Sequence, residues 1–152
     1  MIAIVLGCTA VLKFSQGALV LLNPMIAMVF GIFALGISNF VVRYRAIKNK
    51  QLKISHFRTY DANTQVPEKV IIFGRHFDNQ FQVPLLFLIT CVAAQTMPLY
   101  SSGYLKPLAW AFVLSRMVHS FIHLGSNNVR LRMLAYTFGW LCILAMWAHL
   151  GF

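Results

Sequence analysis

Four apolar runs, each about as long as a lipid bilayer is thick, decide what this chain can fold into. They cover residues 24–42, 67–97, 105–124 and 129–150, and a transmembrane helix needs about 20 mostly apolar residues. The composition agrees, since 59% of the residues are hydrophobic and only 11% are charged, a low charged fraction for a soluble domain. The sequence therefore predicts an all-α, multi-pass integral membrane protein with one domain.

The basic residues are concentrated in one connection. Seven of the thirteen lysines and arginines lie in residues 43–69, between the first two apolar runs. Basic loops beside membrane spans stay cytoplasmic and can contact anionic lipid headgroups. The net charge of +10 therefore indicates orientation and membrane lipids, and we do not expect a nucleic-acid partner.

The segment before the first span is harder to interpret. Residues 1–12 are apolar, but Lys13, Ser15 and Gln16 interrupt the run before it resumes at residues 18–22. The segment lacks the basic start and the small-residue cleavage site of a secretory signal. A fifth span, an interfacial helix and an extension upstream of the true start all remain open. We divide the chain into this extension, 1–22, and a transmembrane domain, 23–152.

Polar stripes run along two of the predicted spans, and each contains an arginine. Ionisable groups inside a membrane cost several kcal/mol unless they are paired or line a wet cavity. Helical spacing places the members of each stripe on one face. We expect the two stripes to face each other or a neighbouring subunit. Their members are Arg75, Asp78, Asn79 and Gln82 on the second span, and Arg116, His119 and His123 on the third.

These stripes favour recognition of an anionic ligand. The guanidinium fork of arginine matches a carboxylate, and asparagine and glutamine can pair with the amide groups of a peptide. A small anionic peptide with a thiol would suit such a site. Arg130, at the start of the fourth span, would lower the pKa of a bound thiol by stabilising the thiolate. The alternative is that Arg75, Asp78 and Arg116 simply satisfy one another or nearby amides between helices.

We predict no metal site. His119 and His123 stand at i and i+4, but no carboxylate or cysteine supports them at a ligand spacing. Hydrogen bonds between helices are the expected role of both, and His76 is expected on the opposite side, near the interface. The cysteines lie in separate apolar segments without a CxxC motif, so we expect buried, unreactive thiols. They are Cys8, Cys91 and Cys142.

With these residues in place, the chain resembles the MAPEG family, the membrane-associated proteins of eicosanoid and glutathione metabolism. The resemblance covers residues 23–150. It rests on Arg75-x3-Asn79-x2-Gln82-x-Pro84 in the second span and on Arg116-x2-His119-x3-His123-x6-Arg130 across the third and fourth. The opening Leu22-Asn23-Pro24-Met25, before an apolar run that ends at Arg43, also resembles the first helix of the family.

The resemblance implies a four-helix transmembrane bundle that assembles as a homotrimer, with glutathione as co-substrate between subunits near the cytoplasmic side. It implies that Arg130 activates the glutathione thiol. The chain departs from the family at Gln82, where a glutamate is usual, and at His119 and His123, where well-studied members carry tyrosines. The glutathione-binding residues that the resemblance implies are Arg43, Arg75, Asn79, Gln82, Arg116, His119 and His123.

The function that the resemblance implies is that of a glutathione-dependent transferase or peroxidase acting on a lipophilic electrophile or a lipid hydroperoxide. The sequence looks closest to bacterial members of the family, which implies the bacterial inner membrane. The alternative function is that of a non-catalytic membrane protein that binds lipid or a protein partner through residues 43–69. A small transporter subunit is disfavoured because no span is expected to be broken in its middle.

Overall fold

The computed structural model describes residues 20–60, 64–97 and 103–151, and the regular elements within these ranges are helices. The prediction of an all-α membrane bundle is confirmed. Cys8 and most of the N-terminal extension lie outside the described residues. The elements are α1 (Leu22–Lys48), the short α2 (His56–Thr59), α3 (Glu68–Asp78), a 3₁₀ turn (Asn79–Phe81), α4 (Val83–Thr96), α5 (Leu105–Leu124) and α6 (Val129–Gly151).

Four helical columns form the bundle: α1, α3 continued by α4, α5 and α6. Three of them, Leu22–Lys48, Glu68–Thr96 and Val129–Gly151, are long and apolar enough to cross a membrane. The fourth, α5, has 20 residues and is less apolar because it carries the stripe that begins at Arg116. That stripe is buried inside the bundle, so the lipid-facing side of α5 remains apolar.

The second column is interrupted, which makes the prediction of an unbroken span wrong. The backbone at Gln82 is non-helical, with φ −102° and ψ −97°, between the 3₁₀ turn and α4. Pro84 explains the interruption, because its ring clashes with the carbonyl of Gln80 and it has no N–H to donate to that carbonyl. The same proline is well tolerated in the first turn of α4. A span broken near its middle is a feature of transporters, so span geometry no longer disfavours a small transporter subunit.

The bundle core is aromatic and aliphatic. The rings of Phe87 on α4 and Phe112 on α5 stack with centroids 4.3 Å apart. Cys91 and Cys142 are buried free thiols, as predicted for both. The helices α5 and α6 approach closely at Gly139, where an added Cβ would lie 3.0 Å from Ser115 Oγ.

The tight turn between α5 and α6 sets the phase of α6. A Cβ at Gly125 would lie 2.8 Å from the carbonyl oxygen of Phe121, so the turn needs glycine. Asn128 then caps α6, its Oδ1 accepting the backbone N–H of Arg130 at 3.0 Å and of Leu131 at 3.3 Å. The separation of the two predicted apolar runs, 105–124 and 129–150, into two helices is confirmed.

Candidate functional site

The helix α3 turns a different face into the bundle from the one predicted. Its buried residues are Val70, Gly74 and His76, and Gln80 follows them in the 3₁₀ turn. The residues of the predicted stripe lie outside the packed core of the single chain, and the expectation that they face α5 holds only at the end of the bundle, where Arg75, Asp78 and Asn79 share a cavity with His123. The alternative, that they face a neighbouring subunit, stays a prediction. Arg75, Asp78 and Gln82 are exposed, and Asn79 is half-buried.

The α5 stripe is buried as predicted, and a third histidine joins it. Arg116 is 2% exposed, and His119 and His123 are each 3% exposed. His76 was predicted near the interface, but it is 1% exposed, with its ring 5.6 Å from that of His119 and 4.8 Å from that of His123. His76 is buried because the phase of α3 turns position 76, rather than position 75, toward the bundle core.

The histidines are held by directional hydrogen bonds. Ser120 Oγ donates to the carbonyl of Arg116 at 2.8 Å, so His76 Nε2–H donates to Ser120 Oγ at 2.9 Å. His119 Nδ1–H donates to the carbonyl of Arg132 at 3.0 Å and so connects α5 to α6. The predicted hydrogen bonding between helices is confirmed for His119.

The cluster is poorly suited to a cation. One ring nitrogen from each histidine lies within 4.8 Å of the others, with no carboxylate or thiolate among the described members. Zinc–nitrogen bonds of about 2.0–2.1 Å would require the rings to move together. The guanidinium Nη1 of Arg132, 3.2 Å from His123 Nε2, would repel the bound ion. Hydrogen bonding explains the arrangement of the three histidines better than metal binding does.

At the start of α6, the Arg132 side chain makes hydrogen bonds within the bundle. Its Nη1 donates to Asn127 Oδ1 at 2.8 Å and to His123 Nε2 at 3.2 Å. Arg130 is exposed, and its backbone N–H donates to the cap at Asn128. The sequence indicates a cap at Asn128 and so the start of α6, but packing against α5 decides which residues of the first turn point inward.

Arg132 lines a cavity of about 310 Å³ at the end of the bundle formed by α3 and the α5–α6 turn. The cavity brings together residues of the predicted α3 stripe with His123 of α5. It contains guanidinium donors, a carboxylate and side-chain amides within one space, as recognition of a zwitterionic peptide requires. Its lining is Ile72, Arg75, Asp78, Asn79, His123, Asn127 and Arg132.

A neighbouring cavity of about 360 Å³ brings in Arg43. The Arg43 guanidinium lies 5.4 Å from the centroid of the Phe57 ring, and its Nη1 donates to the Tyr60 hydroxyl at 3.4 Å. Arg75 and Asp78 line this cavity as well as the first. The two cavities therefore adjoin at Arg75 and Asp78, and together they are here called the arginine site, with Arg43 at one end and Arg132 at the other.

A family model described as the MAPEG family matches residues 17–152. The chain belongs to the MAPEG family. The match begins six residues before the predicted domain and covers every helix and every site residue described above. No curated protein matches the chain.

Not all residues that the resemblance implied in this MAPEG chain meet in the arginine site. Gln82 is exposed and lines neither cavity of the site. His119 lies behind His123 and positions Arg132 through its backbone carbonyl. Arg116 lines a separate cavity between α1 and α5. The structure joins Arg43, Arg75, Asn79 and His123, and it adds Asp78, Asn127 and Arg132.

Proposed function

We propose that this membrane protein binds glutathione as co-substrate and acts as a transferase or peroxidase on a lipophilic electrophile or a lipid hydroperoxide. The observation that carries the proposal is the arginine site, in which Arg75 and Asp78 are common to two adjoining cavities. A site with one carboxylate among several guanidinium groups suits a small peptide that has more carboxylates than amino groups.

The site offers a partner for each polar group of glutathione. Arg43 and Arg75 can bind the two carboxylates through charge-assisted hydrogen bonds. Asp78 supplies the countercharge for the amino group that Gln82 cannot supply, which supports binding despite the departure at Gln82. The side-chain amides of Asn79 and Asn127 can form hydrogen bonds with the peptide groups of glutathione.

The reactive end of the site is at Arg132. A guanidinium next to a thiol favours its thiolate, the nucleophilic form, while the thiol proton passes to water. The thiolate sulfur then forms a bond to the electrophilic atom of the lipophilic substrate, whose leaving group takes the electron pair. We propose Arg132 for this role rather than Arg130, because Arg132 lines the cavity and Arg130 is exposed on the other side of α6.

The exposed polar face of α3 supports assembly as a homotrimer. Gln82 is exposed in a single chain at the start of α4, and the hydrocarbon beside α4 offers such a group few partners. A neighbouring subunit would cover this face and complete the site, and the number of subunits follows the family resemblance. The basic connection of residues 43–69 and the arginine site would then lie on the cytoplasmic side of a bacterial inner membrane.

The ultraviolet absorbance of the thiolate tests the proposal. Glutathione added to purified protein in detergent should produce a thiolate signal in the wild type. The signal should disappear in Arg132→Ala and remain in the matched variant Arg130→Ala, because only Arg132 lines the cavity. If the two variants lose the signal equally, or only Arg130→Ala loses it, the assignment to Arg132 is wrong.

The alternative function is a non-catalytic scaffold that binds anionic lipid. A cavity of about 590 Å³ on the connection after α1 carries Lys50, Lys53 and Arg58, and these cations suit phosphate headgroups. Absence of both glutathione binding and a thiolate signal in the wild type, together with binding to vesicles that contain anionic lipid, would establish this alternative.

A further inference from the structure

Two histidines of α5 contact opposite ends of one arginine of α6. His119 Nδ1–H donates to the backbone carbonyl of Arg132 at 3.0 Å. One helical turn later, His123 Nε2 lies 3.2 Å from Arg132 Nη1. Both histidine side chains are 3% exposed, so little water competes for either contact. One face of α5 therefore holds both the backbone and the guanidinium of Arg132.

The chemistry of arginine determines which nitrogen of His123 carries the proton. A guanidinium only donates hydrogen bonds, so Arg132 Nη1–H donates and His123 Nε2 accepts. The proton of the His123 ring is then on Nδ1. A carbonyl only accepts, so His119 also carries its proton on Nδ1. His76 in the same cluster has the opposite form, because its Nε2–H donates to Ser120 Oγ.

The contacts of Arg132 occupy one edge of its guanidinium. The two N–H groups of Nη1 donate to Asn127 Oδ1 at 2.8 Å and to His123 Nε2. Asn127 suits this place because its backbone φ is 50°, in the left-handed region that asparagine tolerates. The Nε and Nη2 groups of Arg132, without a hydrogen bond among the described residues, are left for a ligand of the cavity that Arg132 lines.

We propose that His119, His123 and Asn127 are positioning residues, which hold the Nη1 edge of Arg132 so that the opposite edge binds the sulfur of glutathione. This role depends on the glutathione chemistry proposed for the arginine site. His123 acts in it through Arg132 and is not a ligand of the peptide.

A held guanidinium explains how the thiolate is stabilised. As the S–H bond of glutathione breaks, the proton passes to water and the sulfur accepts hydrogen bonds from Nε–H and Nη2–H of Arg132. Because the Nη1 edge is already bonded, these donors point to one place before the ligand arrives. A freely rotating guanidinium would lose conformational entropy on binding, and its charge would stabilise the thiolate less.

Nitrogen NMR of protein with isotope-labelled histidine rings tests the proton positions without glutathione. The chain has five histidines, few enough to assign by single substitutions. We expect a protonated Nδ1 and a bare Nε2 at His119 and His123, and the reverse at His76. A protonated Nε2 at His123 would refute the proposal, because that nitrogen cannot then accept from Arg132.

Amide replacements test the positioning role with matched pairs. Glutamine has its Oε1 as many bonds from Cα as histidine has Nε2, and asparagine has its Nδ2 as many bonds away as Nδ1. His123→Gln should keep the acceptor for Arg132 and most of the glutathione thiolate signal, whereas His123→Asn should lower the signal about threefold to tenfold. Position 119 needs a donor close to its own backbone, so His119→Asn should retain the signal and His119→Gln should lower it.

Glutathione affinity by calorimetry and unfolding in SDS distinguish positioning from a purely structural role. His123→Asn should lower the affinity by a smaller factor than the thiolate signal, because Arg43 and Arg75 still bind the carboxylates. Equal losses of affinity, stability and signal, or equal signals in His123→Gln and His123→Asn, would exclude the positioning role and leave the proposed function intact. A wild type without a thiolate signal would instead overturn the proposed function, and the positioning role with it.

Discussion

Asn128 is the residue through which the start of α6 can be tested most directly. Its Oδ1 accepts two backbone N–H groups of the first turn, at 3.0 and 3.3 Å. Replacing such a cap by alanine costs about 0.5–2 kcal/mol. Because Asn128 is exposed, water replaces part of the lost bonding, and we expect Asn128→Ala to lower the free energy of unfolding by about 0.5–1 kcal/mol.

The matched variant is Asn128→Asp. It keeps an oxygen at the same position and adds a negative charge near the helix N-terminus, a favourable interaction of about 0.3–1 kcal/mol. The aspartate variant should therefore be as stable as the wild type or more stable. Unfolding can be followed by circular dichroism in mixed micelles with an increasing mole fraction of SDS.

The cap also has a functional readout, because α6 carries Arg132 only four residues after Asn128. A frayed first turn would loosen the contacts of Arg132 with Asn127 and His123. We expect Asn128→Ala to weaken the glutathione thiolate signal and Asn128→Asp to preserve it. An alanine variant as stable as the wild type, or an aspartate variant that loses as much stability as the alanine variant, would refute the capping role of Asn128.

The remaining predictions concern helix packing, orientation and glutathione affinity. Gly139→Ala should destabilise the protein by about 1–3 kcal/mol, because its Cβ would meet Ser115 Oγ at 3.0 Å. Gly31→Ala, with open space at the Cβ, should stabilise it by about 0.5–1 kcal/mol. Equal changes in the free energy of SDS unfolding for the two alanine variants would contradict the close approach of α5 and α6. A reporter fused after Lys53 should be cytoplasmic and one at the C-terminus external, and finding both on one side would exclude the four-span arrangement. Gln82→Glu should strengthen glutathione binding measured by calorimetry if a neighbouring subunit brings Gln82 into the site, while a folded variant with weaker binding would oppose that placement.

The sequence predicted the number and positions of the helical columns because the lengths of the apolar runs determine them. Residues 24–42 and 129–150 lie within α1 and α6, and Gly125 marked the turn between α5 and α6. The helical spacing of Arg116, His119 and His123 also predicted the buried face of α5 correctly. These features depend on local chemistry that a single segment contains.

The inward faces of α3 and α6 could not be obtained in the same way. Each depends on a helix phase that is set by a break, at Pro84 for the second column and at Asn128 for α6. A shift of one position in the buried face of α3 places His76 rather than Arg75 inside the bundle. A shift of two positions in α6 places Arg132 rather than Arg130 there. Spacing identifies which residues share a face, but packing against the neighbouring helix decides which face is buried.

The second column is longer than a bilayer is thick. Its 29 residues would extend about 44 Å as one helix, whereas the hydrocarbon core measures about 30 Å. With α4 in the hydrocarbon, the surplus falls on α3, which would place Arg75 near the level of the lipid headgroups. A compound dissolved in water and one dissolved in lipid can both reach that level without leaving the solvent that each prefers.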